Sequence, residues 1–336
     1  MIEDMDWIWH RGKWRRATDA TVPITAHALH YGSSVYEGLR CYATADGPAI
    51  FRLREHIARF ESSCRLLRMP LPSTVTEVER ACVDVVARNG FEECYIRPLA
   101  YRGAGAMGLV PTSSPVEVSV FAFPWGAYLG GDALEKGVDV AVSSWRRIGS
   151  DALMPMGKIG GQYINNQLAS AEAKANGFAD AILLDGDGRV TEGAGQNLFL
   201  VEGGVITTPP ASSAILRGIT RDSVITLAAD LGVDVREAPI SRESLYLADE
   251  VFMTGTASEI TPVRSIDRMA VRAAAPGEVT RALQDAFFAI TSGRTDDRHG
   301  WLTPVADASS DFENPRPAAP SPSETDARPR AERTAR

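Results

Sequence analysis

ADAILLDGDGRVTEGAGQNLFLVEGGVIT, residues 179–207, is the stretch that decides the fold class. Within it ADAILLD, RVTEGAG and QNLFLVEGGVIT are short runs rich in Val, Ile, Leu, Phe and Thr. DGDG at 185–188 punctuates them as a turn, and they read as successive antiparallel strands. No helical run separates them. Strands that come in groups, rather than alternating strictly with helices, point to an α+β fold and away from a doubly wound parallel sheet.

Working outward, a helix is expected from about 162 to 175 and a strand near 138–143. On the other side, helices near 219–231 and 276–291 flank a strand at EVFMT, 250–254. Nearer the start, DWIWHRGKW reads as a hairpin turning at Arg11-Gly12, and LRCYAT and PAIFRL as strands around Asp46-Gly47-Pro48. Leu53, Ile57, Phe60, Cys64 and Leu67 recur at helical spacing up to Pro70. A second helix covers roughly 75–88 and ends at Asn89-Gly90, and strands follow at 93–101 and 116–123. The glycine- and aromatic-rich PWGAYLGG, 124–131, reads as an interdomain connection. The expected division is a smaller N-terminal domain at 1–124, a connection at 125–134 and a larger, strand-rich domain at 135–307. From 308 to 336 large apolar residues are almost absent and Pro, Ala and charge dominate. Such a tail buries too little surface to offset its ordering entropy, and it is expected to be disordered.

The chain of 336 residues has room for two cores, and its 44% apolar and 23% charged residues are those of a globular protein. A net charge of -8 without a basic block argues against nucleic acid and anionic membrane as partners. No apolar run approaches the ~20 residues of a membrane helix. The start lacks the charged-then-apolar order of a signal peptide, and Cys41, Cys64, Cys82 and Cys94 form no CxxC pair. A cytoplasmic protein with reduced thiols is therefore expected.

Basic residues are nearly all arginine; the lysines are Lys13, Lys136, Lys158 and Lys174. Lys13 lies among arginines near a hairpin turn, Lys136 is turn-like, and Lys174 suits a helix C-terminus. Lys158, in MPMGKIGGQY, has no charged residue within six positions. Desolvation there would disfavour an ammonium ion, as suits a lysine that attacks a carbonyl carbon as the free amine. The adjacent glycines would let a bulky ring approach the backbone. A lysine snorkelling from a loop is the competing reading.

Two segments offer anion sites. GITRDS, 218–223, sets Thr220 at a helix start with free backbone amides, and TGTASE, 254–259, follows the EVFMT strand as a second nest. Each alone also reads as an ordinary cap. Arg59 shares a helix with Ile57 and Phe60 and would reach a phosphate from there; pairing with Glu55 at the surface is the bland alternative. Glu192, before a glycine pair, would suit a pyridine nitrogen, or else an exposed turn. GAGAMG, 103–108, matches GxGxxG after a strand and raises a distant alternative, an NAD-linked oxidoreductase. The prolines that follow forbid the helix such a site needs. His27 and His30 have no further ligand pair near them, so no metal is expected.

Taken together, HALHYGSSVYEGLRCY, FRLREHIARF, YIRPLAYRGAGAMG, FPWGAYLG, GKIGGQYINNQLASAEAKANG, TEGAGQNLF, GITRDSV and SRESLYLADEVFMTGTASEITPV resemble the branched-chain aminotransferases of the fold type IV pyridoxal phosphate enzymes. The resemblance runs from Trp7 to about Pro304. It implies a two-domain α+β homodimer or larger assembly that binds pyridoxal 5'-phosphate. It would move amino groups from Leu, Ile or Val to 2-oxoglutarate by a ping-pong route. Other activities of the same fold are the alternatives: D-amino acid or (R)-amine transamination, and aminodeoxychorismate lysis. By the same resemblance Lys158 bonds to the cofactor, Glu192 meets the ring nitrogen and Tyr163 the ring hydroxyl. Leu216 packs on the ring, and Arg59, Ile219, Thr220 and Thr256 hold the phosphate. Tyr95, with the amides of Thr256 and Ala257, takes the substrate carboxylate. Tyr36, Trp125, Tyr128, Tyr31, Met107 and Leu109 form the apolar pocket, with Tyr31 and the 103–109 loop coming from a second subunit. Arg97 accepts the side-chain carboxylate of glutamate. Gln196 and Arg217 depart from the family pattern, which has glutamate and proline there.

Overall fold

The computed structural model describes residues 5–111, 113–126 and 129–305; the tail expected to be disordered and Tyr128 lie outside these residues. In the first part of the chain come β1 (Trp7–His10), β2 (Lys13–Arg16), α1 (His27–Tyr31), β3 (Ser34–Tyr36), β4 (Leu39–Thr44) and β5 (Gly47–Phe51). They are followed by α2 (Leu53–Leu66), α3 (Val75–Asn89), β6 (Cys94–Arg102) and β7 (Val116–Phe123). Next come α4 (Ala133–Lys136), β8 (Val138–Arg146), α5 (Tyr163–Ala175), β9 (Asp180–Leu184), β10 (Val190–Gly193), β11 (Asn197–Glu202) and β12 (Val205–Thr208). The last elements are α6 (Ile219–Asp230), β13 (Val235–Glu237), α7 (Ser244–Leu247), β14 (Glu250–Gly255), β15 (Glu259–Ile266), β16 (Met269–Ala270), α8 (Glu278–Thr291) and β17 (Leu302–Pro304).

Among the described residues the strands form two sheets. The first is antiparallel, ordered β17-β5-β4-β6-β7-β1-β2, with β3 on β6. The second is ordered β10-β9-β8-β15-β14-β11-β12-β13, and it is mixed: β8 runs parallel to both β9 and β15. Helices and largely antiparallel sheets in separate blocks make the α+β fold expected from 179–207.

The quoted stretch behaves as expected in its two halves and differently at its centre. β9 pairs antiparallel with β10, and β11 with β12. β10 and β11 are not partners, however; β9, β8, β15 and β14 lie between them in the sheet. Gly193–Gln196 is a tight turn, closed by the Gly193 amide donating to the Gln196 carbonyl at 2.7 Å, so the ends of β10 and β11 stay together although their ladders lie apart along the sheet. An alternating pattern marks a strand but not its neighbour, so sequence adjacency misled here. The final strand is a second long-range pairing: β17 returns to the first sheet against β5.

The helices find their places through their apolar faces. α2 buries Leu53, Ile57, Phe60 and Cys64, and α3 buries Val78, Cys82, Val85 and Val86, all against the first sheet. Each such large side chain contributes roughly 1.5–3 kcal/mol. α3 is delimited by a Thr74–Glu77 capping box and by Gly90 in the left-handed region. β9 is buried on both faces. Ile182 and Leu184 enter the core of the second sheet, and Ala181 and Leu183 pack under Ala169 and Ala173 of α5. The two-residue period of a strand separates those faces, and the alanines let α5 sit close. A third core, with Phe199 stacked on Phe252 at 4.8 Å, joins α6 and α8 to Tyr42, Phe51 and Trp301 of the first sheet's region. No helix among the described residues is long and apolar enough to cross a membrane.

Candidate active site

The connection from β8 to α5 carries Lys158 and is tied down on both sides. The Lys158 amide donates to Ser63 Oγ of α2 at 3.0 Å, and its carbonyl accepts from the Tyr36 amide at 3.1 Å. The surrounding glycines serve this docking. A Cβ on Gly160 would overlap Ser34, one on Gly161 would come 3.0 Å from the Gly32 carbonyl, and one on Gly157 would come 3.1 Å from Leu66. Chain packs on chain there. Lys158 Nζ is partly buried and projects into a cavity of about 440 Å³. It donates to Tyr163 Oη at 3.0 Å and lies 4.8 Å from the Tyr36 ring centroid. Among the described residues no carboxylate forms an ion pair with it.

Glu192, at the end of β10, is buried in the cavity wall, not exposed in a turn. Its Oε2 accepts from the Leu216 amide at 3.0 Å and from Asn197 Nδ2 at 3.1 Å. Its Oε1 pairs with Arg147 at 2.7 Å. Burial pushes the carboxyl above its ordinary range, against the pull of Arg147, the Leu216 amide, Lys158 and Arg59.

A third wall is formed by the start of α6. Gly218 is the N-cap, with no side chain capping the helix, and the buried Thr220 lies in its first turn. A Cβ on Gly218 would overlap Asn197 Oδ1, which is why this cap is glycine. Unpaired amides and the helix dipole make such an end attractive to an anion. Arg59 faces it from α2, donating to the Arg217 carbonyl at 2.9 Å, so the backbone of Arg217 is engaged while its side chain is exposed. Arg59 does not pair with Glu55, which bonds Arg52 instead. Its partner is Glu37, fully buried, which also contacts His56 Nδ1 at 2.8 Å. Opposite, Thr256 and Ala257 sit in the turn from β14 to β15, where the buried hydroxyls of Thr254 and Ser258 find no partner in the described protein.

The remaining wall is aromatic. Tyr95 packs 5.6 Å from Phe123 and 5.4 Å from Trp125, and Arg97 lies over the Tyr36 and Tyr95 rings at 4.6 and 5.2 Å. Thus one cavity gathers Lys158, Arg59, Tyr163, Glu192, Leu216, Ile219, Thr220, Thr256, Ala257, Tyr36, Tyr95, Arg97 and Trp125. Tyr31, Met107 and Leu109 are not in its lining. They lie on an exposed surface, with Tyr31 Oη donating to the Met107 carbonyl at 2.9 Å.

Glu37 and Arg147 were not found from sequence. Glu37, in VYEGL, looks like an ordinary strand glutamate; its partners come from α2. Arg147 directly follows Arg146, the last residue of β8, with nothing local to separate the two. Gln196, one of the family departures, is buried and donates to Asp180 Oδ2 at 2.8 Å. His27 hydrogen-bonds Ser33 Oγ and the Gly108 carbonyl at 2.7 and 3.2 Å, and no group of metal-ligating side chains exists among the described residues. GAGAMG enters no helix.

A cavity between two sheets of an α+β fold, lined by the Lys158 amine, the buried Glu192 carboxylate and a helix N-terminus, has the parts of an enzyme site that receives an anionic group. The amino-transferase class IV family model matches residues 34–266, and the chain belongs to that family. The branched-chain-amino-acid aminotransferase of Salmonella typhimurium is 48% identical over 301 residues, 89% of this chain and 97% of that protein. The crystal structure of the Escherichia coli branched-chain amino acid aminotransferase superposes with a TM-score of 0.88 at 48% identity, over 90% of this chain and 100% of that one. The branched-chain amino acid aminotransferase from Thermobaculum terrenum, in its PLP-bound holo form, superposes with a TM-score of 0.84 at 38% identity, over 90% of this chain and 99% of that one.

Proposed function

We propose that this enzyme transfers the amino group of branched-chain L-amino acids to 2-oxoglutarate, using pyridoxal 5'-phosphate held at Lys158. The observation that carries the reading is the position of Lys158 Nζ. It is 3.0 Å from Tyr163 Oη and shares one cavity with the buried Glu192, with Arg59 and with the N-terminus of α6. The donor set fits that group. A phosphate needs several donors, and the α6 amides, the Thr220 hydroxyl and Arg59 supply them, while the unpaired hydroxyls of Thr254 and Ser258 add two more.

When bound, pyridoxal phosphate supplies a reactive aldehyde and a ring that draws electrons from the substrate Cα. The protein does the rest. Arg59, Ile219, Thr220 and Thr256 anchor the phosphate. Glu192 holds the ring nitrogen, Tyr163 Oη the ring hydroxyl, and Leu216 covers one face. Tyr95 and the amides of Thr256 and Ala257 grip the substrate carboxylate. Lys158 Nζ would take the proton from the Cα of the amino acid in one half-reaction and give one to the Cα of the accepting oxo acid in the other. Tyr36, Trp125 and Tyr128 receive the side chain, and Arg97 binds the second carboxylate of 2-oxoglutarate.

Tyr31, Met107 and Leu109 complete that pocket from a second copy, in a homodimer or larger assembly. Support comes from an exposed apolar surface: Ile24 is 79% exposed, Leu109 76% and Tyr31 45%, with Leu29 and Val110 beside them. The same reading takes 1–124 and 135–307 as two domains joined through 125–134, with β17 at the end of the second reaching back to the sheet of the first. It also places the enzyme in the cytoplasm, in keeping with four unpaired, buried cysteines.

Leucine, D-alanine and an aryl amine, each paired with 2-oxoglutarate, test the activity; turnover of leucine is expected, and a preference for either of the others overturns the assignment. Lys158→Ala should lose both the visible absorbance of the bound cofactor and turnover, and retention of both removes Lys158 from its role.

A further inference from the structure

We propose that Arg147 is a positioning residue that fixes Glu192 and keeps it anionic, so that the ring nitrogen of the cofactor stays protonated. The proposal rests on the cofactor reading above. Arg147 is itself almost fully buried. One of its Nη atoms lies 2.7 Å from Glu192 Oε1, another donates to Asn166 Oδ1 of α5 at 2.9 Å, and Nε donates to the Ala214 carbonyl at 3.2 Å. Asn166 in turn donates to the Ala194 carbonyl at 2.5 Å, so the guanidinium is gripped from α5 and from the 214 segment.

Glu192 needs such a partner. Its other contacts, the Leu216 amide and Asn197 Nδ2, orient Oε2 but carry no charge. The remaining charged or titratable groups that face it are Lys158, Arg59 and Tyr163; Arg59 is committed to Glu37 and Lys158 to Tyr163. A buried carboxyl favours its neutral form, and burial does push Glu192 upward. Arg147 is the one cation in direct contact with it among the described residues. Without that contact Glu192 would take up a proton, and a neutral carboxyl does not stabilise a pyridinium.

The test uses the holoenzyme reconstituted with pyridoxal phosphate labelled with 15N in the ring. In the wild type the ring nitrogen should show the shift of a protonated pyridine. Arg147→Met, similar in length and uncharged, should move it to that of an unprotonated ring. It should also weaken cofactor binding about tenfold and lower kcat about 100-fold, with KM for leucine changed less than about threefold. Arg147→Lys keeps the charge and should restore the protonated signal. A residue that merely filled space would give the opposite order, Met closer to wild type than Lys, and that result overturns the proposal. So does a protonated ring in Arg147→Met. If Arg147→Met fails to fold, the pair Glu192→Gln and Glu192→Gln/Arg147→Met decides. With the carboxylate already gone, the second change should leave the ring signal where the first put it; a further shift overturns the proposal. A wild-type protein that takes up no cofactor sinks the functional reading instead, and is distinguished by its lack of any ring signal.

Discussion

The Arg59 guanidinium meets the Glu37 carboxylate edge to edge, with Nε 2.6 Å from Oε1 and Nη2 2.8 Å from Oε2. This fork uses one side of the guanidinium and leaves Nη1 toward the Arg217 carbonyl and the start of α6. Glu37 therefore aims Arg59. Glu37→Gln would set an amide NH2 against a guanidinium and leave a buried cation without its partner, a loss of about 3–5 kcal/mol. We expect a lower melting temperature for the cofactor-free protein and at least tenfold weaker uptake of pyridoxal phosphate, read by equilibrium dialysis. Unchanged uptake would mean that Arg59 needs no aiming.

The same cluster predicts acid sensitivity in two steps. Burial pushes the Glu37 carboxyl up, but the Arg59 charge and the hydrogen bonds from Arg59 and His56 outweigh it and hold the group far below the usual carboxylate range. The unfolded chain therefore takes up this proton first. The stability from Glu37 is complete above about pH 4.3 and is lost as pH falls through the lower, folded value. His56 is held below its ordinary value by burial, so its step begins earlier, below about pH 6.5. Calorimetric melting curves should fall from that point downward and more steeply in the carboxylate range. Glu37→Gln should flatten the fall in the carboxylate range while leaving His56 held still lower, and curves that stay parallel below about pH 4.3 would rule out the lower step.

Tyr163 should matter to turnover more than to folding. Burial raises its phenol, but the Lys158 charge and the hydrogen bonds to Lys158 and Tyr36 win, leaving it below the ordinary range. Tyr163→Phe removes one hydrogen bond to a charged group, so kcat should drop about 10- to 100-fold. Steady-state kinetics with leucine would show this; a change of less than about twofold would place Tyr163 outside the reaction.

How far the sequence carried the fold depends on the range of each signal. α3 was readable to within a residue because Thr74, Glu77 and Gly90 are local marks. The hairpin at Arg11-Gly12 is local too. The pairing of β17 with β5, and the separation of β10 from β11, depend on segments far apart in sequence, and no nearby residue encodes them. The cavity follows the same rule. Lys158 stood out by elimination in a chain with few lysines, and the helix start at Gly218 by its cap. Glu37 and Arg147 acquire meaning only from Arg59 and Glu192, which fold against them from other elements.

Glu259 joins the two sheets at a strained point. It opens β15 with φ of 54°, and its Oε1 accepts from Tyr42 Oη at 2.9 Å and lies 3.2 Å from Arg40. Glu259→Gly would relax the backbone by about 1 kcal/mol or somewhat more. It would also take from the buried Arg40 its nearer carboxylate, leaving it the half-exposed Glu93 at 3.7 Å and the Trp125 carbonyl at 3.3 Å, a loss at the low end of about 3–5 kcal/mol. The second effect is larger, so the variant should be destabilised by about 2 kcal/mol in urea unfolding. A more stable variant would show that strain, and not the ion pair, dominates this joint.

Gly38 sets the position of Tyr95. It precedes β4 directly beneath the phenol, and a Cβ there would overlap the Tyr95 hydroxyl and come 3.0 Å from its Cε1. Tyr95 cannot give way by swinging outward, because Phe123, Trp125 and Arg97 enclose the ring. Gly38→Ala should thus displace the hydroxyl proposed to hold the substrate carboxylate while sparing Lys158, Glu192 and Arg59. The expected signature is a rise in KM for leucine of about tenfold or more, with the absorbance of the bound cofactor unchanged. Gly186→Ala is the control: nothing lies within 4 Å of a Cβ there, and its kinetics should match the wild type. A Gly38→Ala enzyme with normal KM would mean that the phenol has slack and that the carboxylate is gripped by the Thr256 and Ala257 amides without it.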